Sequence, residues 1–151
     1  MGASEPAGGQ AAMMTRMSAD LTANDFVSGL LASFARKGIA AVSLRSPGFY
    51  TAALDAFGRL SQLAEKYEID VRFYVFLDPI YGDSPVIREA VSDAVQRNLI
   101  SLDNPEYQDL RLRIGSDEAN LLLAKLPGGP ELYEQLAEAF LADYPHVATA
   151  T

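Results

Sequence analysis

The stretch from Arg72 to Gly115 reads RFYVFLDPIYGDSPVIREAVSDAVQRNLISLDNPEYQDLRLRIG, and its changes of period decide the fold expected for the chain. Val71, Phe73, Val75 and Leu77 alternate with Arg72, Tyr74 and Phe76, and β-branched and aromatic residues dominate, so 71–77 is expected as a strand. Asp78-Pro79 stops it. In the turn Tyr81-Gly82-Asp83-Ser84-Pro85, Gly82 is free to take positive φ, Asp83 or Ser84 can cap a helix, and Pro85 suits a first helical position. The helix that follows turns Ile87, Val91, Ala94 and Val95 inward and Arg88, Glu89, Asp93 and Arg97 outward. Leu99-Ile100 leads into a strand, Asp103-Asn104-Pro105 is turn chemistry, and Leu110, Leu112 and Ile114 alternate with Arg111 and Arg113. Residues 99–102 and 109–114 therefore read as a hairpin with a loop of about six residues, slightly longer than usual. The strand 71–77 is expected to lie antiparallel beside this hairpin in a small sheet, with Ile87, Val91 and Val95 buried beneath it.

Helices flank this unit on both sides. Residues 1–20 are small, polar and Gly-rich and read as a disordered leader. Thr22 and Asp25 have the form of a capping box ahead of Phe26, Val27, Leu30, Leu31 and Phe34 at helical spacing. Arg36 and Lys37 suit the negative end of that helix, and Gly38 terminates it. Residues 39–44 read either as a short strand or as an extended connector. Ser46-Pro47 starts a long helix, striped by Tyr50, Ala53, Leu54, Phe57, Leu60, Ala64 and Tyr67. Gly48 and Gly58 each weaken it by roughly 1 kcal/mol relative to alanine. Ser116-Asp117-Glu118 opens a further helix, Pro127-Gly128-Gly129-Pro130 breaks it, and Leu132, Tyr133, Leu136, Ala137, Phe140 and Tyr144 stripe a last helix ending before Pro145. One domain over 21–145 and a flexible tail over 146–151 are expected.

Composition narrows the class. The 151 residues are 49% hydrophobic and 21% charged, as in ordinary globular proteins. With no cysteine there is neither a disulfide frame nor a thiolate metal site. No apolar run approaches the roughly 20 residues of a membrane span, and no secretory signal is recognisable, so a cytoplasmic location is expected. A net charge of −8 disfavours a strong non-specific grip on nucleic acid. Basic residues cluster only as Arg88, Arg97, Arg111 and Arg113, interleaved with Glu89, Asp93, Asp103, Glu106 and Asp109.

Catalytic chemistry is sparsely represented. His146 is the only histidine and sits in the closing tail, which argues against a His-based metal site. Asp78 and Asp83 flank the turn and form a carboxylate pair, but turn formation and helix capping explain both. The Gly-rich segments lack the setting and lysine of a phosphate loop, and no Gly-x-Ser-x-Gly elbow occurs. No catalytic residue, cofactor or metal is assigned. Tyr74, Phe76 and Tyr81 alternate away from the Val71, Phe73, Val75 face and are candidates for an apolar patch that receives a partner helix or a second subunit. Burial by the helix at 47–67 explains them equally well.

The order helix, helix, short strand, helix, hairpin, helix resembles the winged helix-turn-helix superfamily over about residues 50–125. Tyr81-Gly82-Asp83-Ser84-Pro85 is similar to its turn, Asn98-Leu99-Ile100 to its helix end, and Leu112-Arg113-Ile114-Gly115 to its wing exit. Asp83 stands where proline is common in that turn, and Asn98 where glycine is common. The resemblance implies an α+β, mostly helical fold, with a winged-helix-like core, a small antiparallel sheet and flanking helices. The alternative is a three-layer α/β fold, in which 39–44, 71–77 and 110–114 are parallel neighbours. Function follows as an expectation: a non-enzymatic protein-interaction or regulatory subunit, an accessory component of a larger complex with a protein partner or a second copy of itself. The alternatives are a DNA-binding transcriptional regulator, contacting DNA through Arg88, Arg97, Arg111 and Arg113, and a small α/β enzyme. No membrane partner is expected.

Overall fold

A computed structural model describes residues 18–45, 47–102 and 109–149. The fold is mixed α+β and mostly helical: β1 (Ala19–Leu21), α1 (Ala23–Arg36), β2 (Ile39–Ser43), α2 (Gly48–Leu63), β3 (Ile69–Val71), α3 (Pro85–Gln96), β4 (Ile100–Ser101), β5 (Asp109–Leu112), α4 (Ser116–Lys125), α5 (Gly129–Asp143) and β6 (Val147–Thr149). Its organising element is α1. Every residue from Phe26 to Ala35 is buried, because α3, α4, α5 and β2 all pack against it. A helix apolar on most faces belongs at the centre of a helical layer, with its neighbours around it.

The helix ends follow local chemistry. Asp25 N donates to Thr22 Oγ1 (3.2 Å) and Thr22 N to Asp25 Oδ2 (3.1 Å), completing the expected capping box. Gly38, at φ 81°, closes α1. Ser84 Oγ accepts from Ile87 N at 3.3 Å, with Pro85 in the first turn of α3. At the other end of α3, Asn98 takes φ 61°. Asn98 N then donates to Val95 O and Leu99 N to Ala94 O, a complete left-handed stop built on asparagine instead of glycine. The start expected at Ser46 lies outside the described residues.

The larger sheet has the order β4-β5-β2-β6 and is antiparallel throughout. The hairpin over 99–102 and 109–114 is present, with Ile100 opposite Leu112 and Ser101 opposite Arg111, while its turn lies outside the described residues. Residues 39–43 are a strand and pair centrally, Val42 opposite Leu110. A parallel arrangement of 39–44 with 110–114 is therefore excluded.

The expectation for 71–77 is corrected. Only Ile69–Val71 is strand, and it pairs with β1 in a separate two-stranded parallel sheet, Leu21 opposite Val71. Within the hairpin's own sheet, the other neighbour of β5 is β2, and 71–77 takes no place there. Beyond Arg72, whose N–H donates to Leu21 O at 2.9 Å, the neighbouring chain leaves through Thr22 to begin α1, so the strand loses its partner. Ala19 and Asp20 thus belong to a strand inside the span read as a leader, and Val147–Thr149 to one inside the span read as a tail.

Ile87 and Val91 are buried and Val95 half-buried, in one core with Leu110. Aromatic rings gather near the two ends of α1. Phe26, Phe57 and Phe73 meet with centroids 5.2–6.5 Å apart, and Phe34, Phe49 and Phe140 form a second cluster. Tyr144 ties α5 to β2: its hydroxyl donates to Ser43 O at 2.9 Å and accepts from Arg45 N at 3.1 Å. Tyr133 of α5 lies fully buried against Gly29 of α1, its hydroxyl donating to Pro127 O at 2.6 Å. Burial raises the pKa of that hydroxyl, so it stays a neutral donor.

Where α2 passes α5, the Asp55 carboxyl hydrogen-bonds the Asp143 carboxyl, and this contact raises the Asp55 pKa above its ordinary 3.8. A carboxyl raised on folding contributes stability below its unfolded pKa and loses it as pH rises through the folded one. Asp55→Asn, which mimics the protonated acid, is therefore expected to raise the melting temperature at pH 7 and to leave it nearly unchanged below about pH 3.5. Thermal melts at the two pH values check this; an equal shift at both would show that charge repulsion is not involved.

Candidate interaction surface

The segment after β3 is built outward by its own alternation. Val75 is buried and Phe73 and Leu77 half-buried, whereas Tyr74 is 70% exposed and Phe76 51%. Phe73 packs on Phe26 and Phe57, and the Tyr74 ring stands edge-on to Phe57 at 5.7 Å, which sets the segment against α1 and α2. The chain then reverses. Asp78 Oδ1 accepts from Ile80 N (2.8 Å) and Tyr81 N (2.9 Å), Gly82 N donates to Asp78 O, and Asp78 N donates to Asp83 O at 2.7 Å. Gly82 is required here twice over: its φ is 72°, and a Cβ would stand 2.8 Å from Pro47 Cβ. This tight turn pushes Ile80 and Tyr81 into solvent, 81% and 75% exposed.

Of the three aromatic candidates, the structure exposes all of them and adds Ile80. Four large apolar side chains on one segment between residues 74 and 81 form a surface that a monomer has reason to cover. Sequence reasoning missed Ile80 because a single isoleucine beside a proline carries no period; its place in the Asp78 turn was the available signal.

The carboxylates of the turn are structural. The two backbone donors, Tyr81 first and Ile80 second, hold the Asp78 pKa below the usual carboxylate range. Asp83 is ion-paired with Arg88. Burial, and then the nearby Asp83 charge, pushes the Tyr50 hydroxyl of α2 up. Asp78, Tyr81, Asp83, Pro85 and Arg88 line an open cleft of about 510 Å³ beside the apolar side chains. Its acids are already engaged in turn and ion-pair bonds, so the cleft offers shape and an apolar rim more than reactive groups.

The arginine candidates are divided. Arg88 is engaged by Asp83, and Arg97 by Asp93 at 2.8 Å and by the Ser28 hydroxyl of α1. Arg111 and Arg113 are exposed and, among the described residues, form no ion pair. Two of the four cations are thus engaged by neighbouring side chains of α3, the turn before it and α1.

Other places are less suited to ligands. Ser33 Oγ of α1 is buried without a hydrogen-bond partner among the described residues; it lines a cleft of about 80 Å³ with Arg36, Lys37 and Glu134, large enough to admit water to that hydroxyl. An apolar void of about 20 Å³ among Phe26, Leu30, Phe49, Ile87 and Phe140 is too small for a small-molecule ligand. His146 lies against Tyr144, with ring centroids 4.8 Å apart. Among the described residues no three metal-ligating side chains converge, and no helix is long and apolar enough to cross a membrane.

The chain is thus a mixed α+β, mostly helical protein carrying an exposed aromatic segment between β3 and α3. No protein family, no curated protein and no solved structure matches it.

Proposed function

We propose that this chain is a cytoplasmic, non-enzymatic protein-interaction or regulatory subunit on a winged-helix-like scaffold, an accessory component of a larger complex. The observation that carries the reading is the exposure of Tyr74, Phe76, Ile80 and Tyr81 on one short segment held rigidly by Val75, Phe73 and the Asp78 turn. Aromatic side chains on a fixed backbone are good anchors, because little conformational entropy is lost when a partner covers them. The scaffold reading draws support from the order α1, β2, α2, β3, α3, β4, β5 and from the antiparallel arrangement β4-β5-β2, in which β2 lies beside the second arm of the hairpin. It departs from a compact helix-turn-helix where residues 64–84 separate α2 from α3 and α2 packs along α5.

The test is affinity purification from the native cell of the wild-type chain and of a Tyr74→Ser/Phe76→Ser/Tyr81→Ser variant. Since all three side chains are exposed, the variant is expected to fold and to lose the partners that the wild type retains. A parallel measurement addresses nucleic acid. Binding to random duplex DNA, followed by fluorescence anisotropy at two salt concentrations, is expected to be weak or absent, since the charge is −8 and, among the described residues, two of the four arginines, Arg88 and Arg97, are held in ion pairs. Sub-micromolar affinity at the higher salt would replace this proposal with a DNA-binding regulator. Neutralising Arg111 and Arg113 would then lower the salt slope by about one unit for each phosphate left without its cation.

A further inference from the structure

The exposed side chains between β3 and α3 are flanked by charge of one prevailing sign. Arg72, which precedes them, is ion-paired with Asp20 and Asp70 at 3.1 and 3.2 Å. Asp83 and Arg88, which follow them, are ion-paired with each other. Asp78 stands in the chain between Tyr74 and Phe76 on one side and Ile80 and Tyr81 on the other. Among the described residues it forms no ion pair. Its Oδ1 takes both turn N–H groups, which favours the ionised carboxyl, while its Oδ2 accepts no hydrogen bond from any described residue. In the open cleft beside Tyr81, Asp78 and Asp83 meet the single guanidinium of Arg88. The segment and its ion pairs thus set four carboxylates against two guanidinium groups.

This balance decides which partner the surface fits. A second copy would bring a charge of −8 against −8 and like carboxylates to the same place, which disfavours self-association. A wholly apolar partner would cover the Asp78 carboxylate without giving it a cation, and a charge buried in that way is costly. A segment carrying both apolar side chains and an arginine or lysine meets both requirements. Its apolar groups cover the exposed rings, and its cation reaches Asp78 Oδ2. Arginine suits the place best, because a guanidinium donates to a carboxylate and also lies on an aromatic face such as that of Tyr81.

We propose that the surface formed by Tyr74, Phe76, Ile80 and Tyr81 docks a basic, apolar segment of another protein, whose arginine or lysine pairs with Asp78 in the cleft beside Tyr81. The inference rests on the reading of this segment as an interaction surface and adds the chemistry of its partner. The aromatic side chains supply the covered area, and Asp78 supplies the selection by charge.

The probe is a phage-displayed library of random short peptides, selected on the immobilised full chain and counter-selected on the Tyr74→Ser/Phe76→Ser/Tyr81→Ser variant. Peptides that combine leucine, isoleucine or aromatic residues with arginine or lysine are expected to be enriched. Made singly, they are expected to bind the Asp78→Asn chain about threefold to fivefold more weakly, as for one exposed ion pair, with a smaller difference at higher salt. Asparagine keeps the oxygen that accepts from Ile80 N and Tyr81 N, so the turn is retained while the charge is removed. Replacing the peptide's cation by glutamine is expected to weaken binding to the wild-type chain and to change nothing with Asp78→Asn. Additive effects of the two changes overturn the pairing with Asp78. Enriched peptides that are neutral or acidic, or no enrichment that depends on the three side chains, overturn the basic partner. A light-scattering mass near twice 16.3 kDa that returns to 16.3 kDa in the triple-serine variant overturns it in favour of a second copy. In each case the partner-retention experiment above stands or falls by itself, since it asks only whether the three side chains are needed.

Discussion

Phe57→Ala is expected to cost about 3–5 kcal/mol of unfolding free energy, the range for deleting a buried phenylalanine from a core that collapses only partly. Phe57 is 8% exposed, and three rings lean on it: Phe26 at 6.5 Å, Phe73 at 5.2 Å and Tyr74 at 5.7 Å. The loss is large beside the roughly 5–15 kcal/mol that stabilises a typical domain. It also reaches the interaction surface, because Phe57 is the wall against which residues 73 and 74 are set. Chemical denaturation measures the change; a value below about 1 kcal/mol would mean that this face of α2 is not packed as described.

Gly29→Ala is expected to destabilise by about 3 kcal/mol, against the usual direction for glycine in a helix. Helix propensity alone favours the alanine by roughly 1 kcal/mol. An alanine Cβ at this position, however, would stand 2.1 Å from Tyr133 Cδ1 and 2.6 Å from its Cγ. Those atoms belong to the root of a fully buried ring whose hydroxyl is held by Pro127 O, so the ring cannot swing away. The overlap is relieved only if α1 and α5 move apart, which opens the core to either side. Gly58→Ala is the matched control. Gly58 lies on the exposed side of α2 with nothing within 4 Å of its missing Cβ, so propensity acts alone and a gain of up to about 1 kcal/mol is expected. Denaturation midpoints that shift the same way for both variants would contradict the close approach of α1 and α5.

The contrast between these two glycines is a general one in this chain. Features set within a few residues were legible beforehand. Thr22 and Asp25 cap α1 because their side chains and main-chain donors lie three residues apart, and Gly38 stops it because only the left-handed region ends the helix there. Ser84 and Pro85 start α3, and alternation around a turn pairs Ile100 with Leu112. The exposed faces of Tyr74, Phe76 and Tyr81 were visible as one of two readings, since period-two alternation says which way a side chain points but not whether another element covers it.

Pairing across long separations was decided only by the tertiary structure. The alternation of Val71–Leu77 is equally compatible with a place beside the hairpin, beside β1, or beside nothing, because a strand's neighbour is chosen by competition among all edges of the fold. Here β2 pairs with β5, and Thr22, by capping α1, ends β1 after Leu21. A helix cap legible in the sequence thus determines, through the fold, where the pairing of a strand ends. The burial of α1 from Phe26 to Ala35, which admits Ser28, Gly29 and Ser33 to the core, likewise depends on which helices surround it. The amino-acid sequence by itself determined the positions of the helices and the caps of α1 and α3, since these are local matters of φ, ψ and period, whereas α2, expected to run to about Tyr67, ends at Leu63. The tertiary structure alone decided which strands pair, because that depends on where every other strand finds its hydrogen bonds.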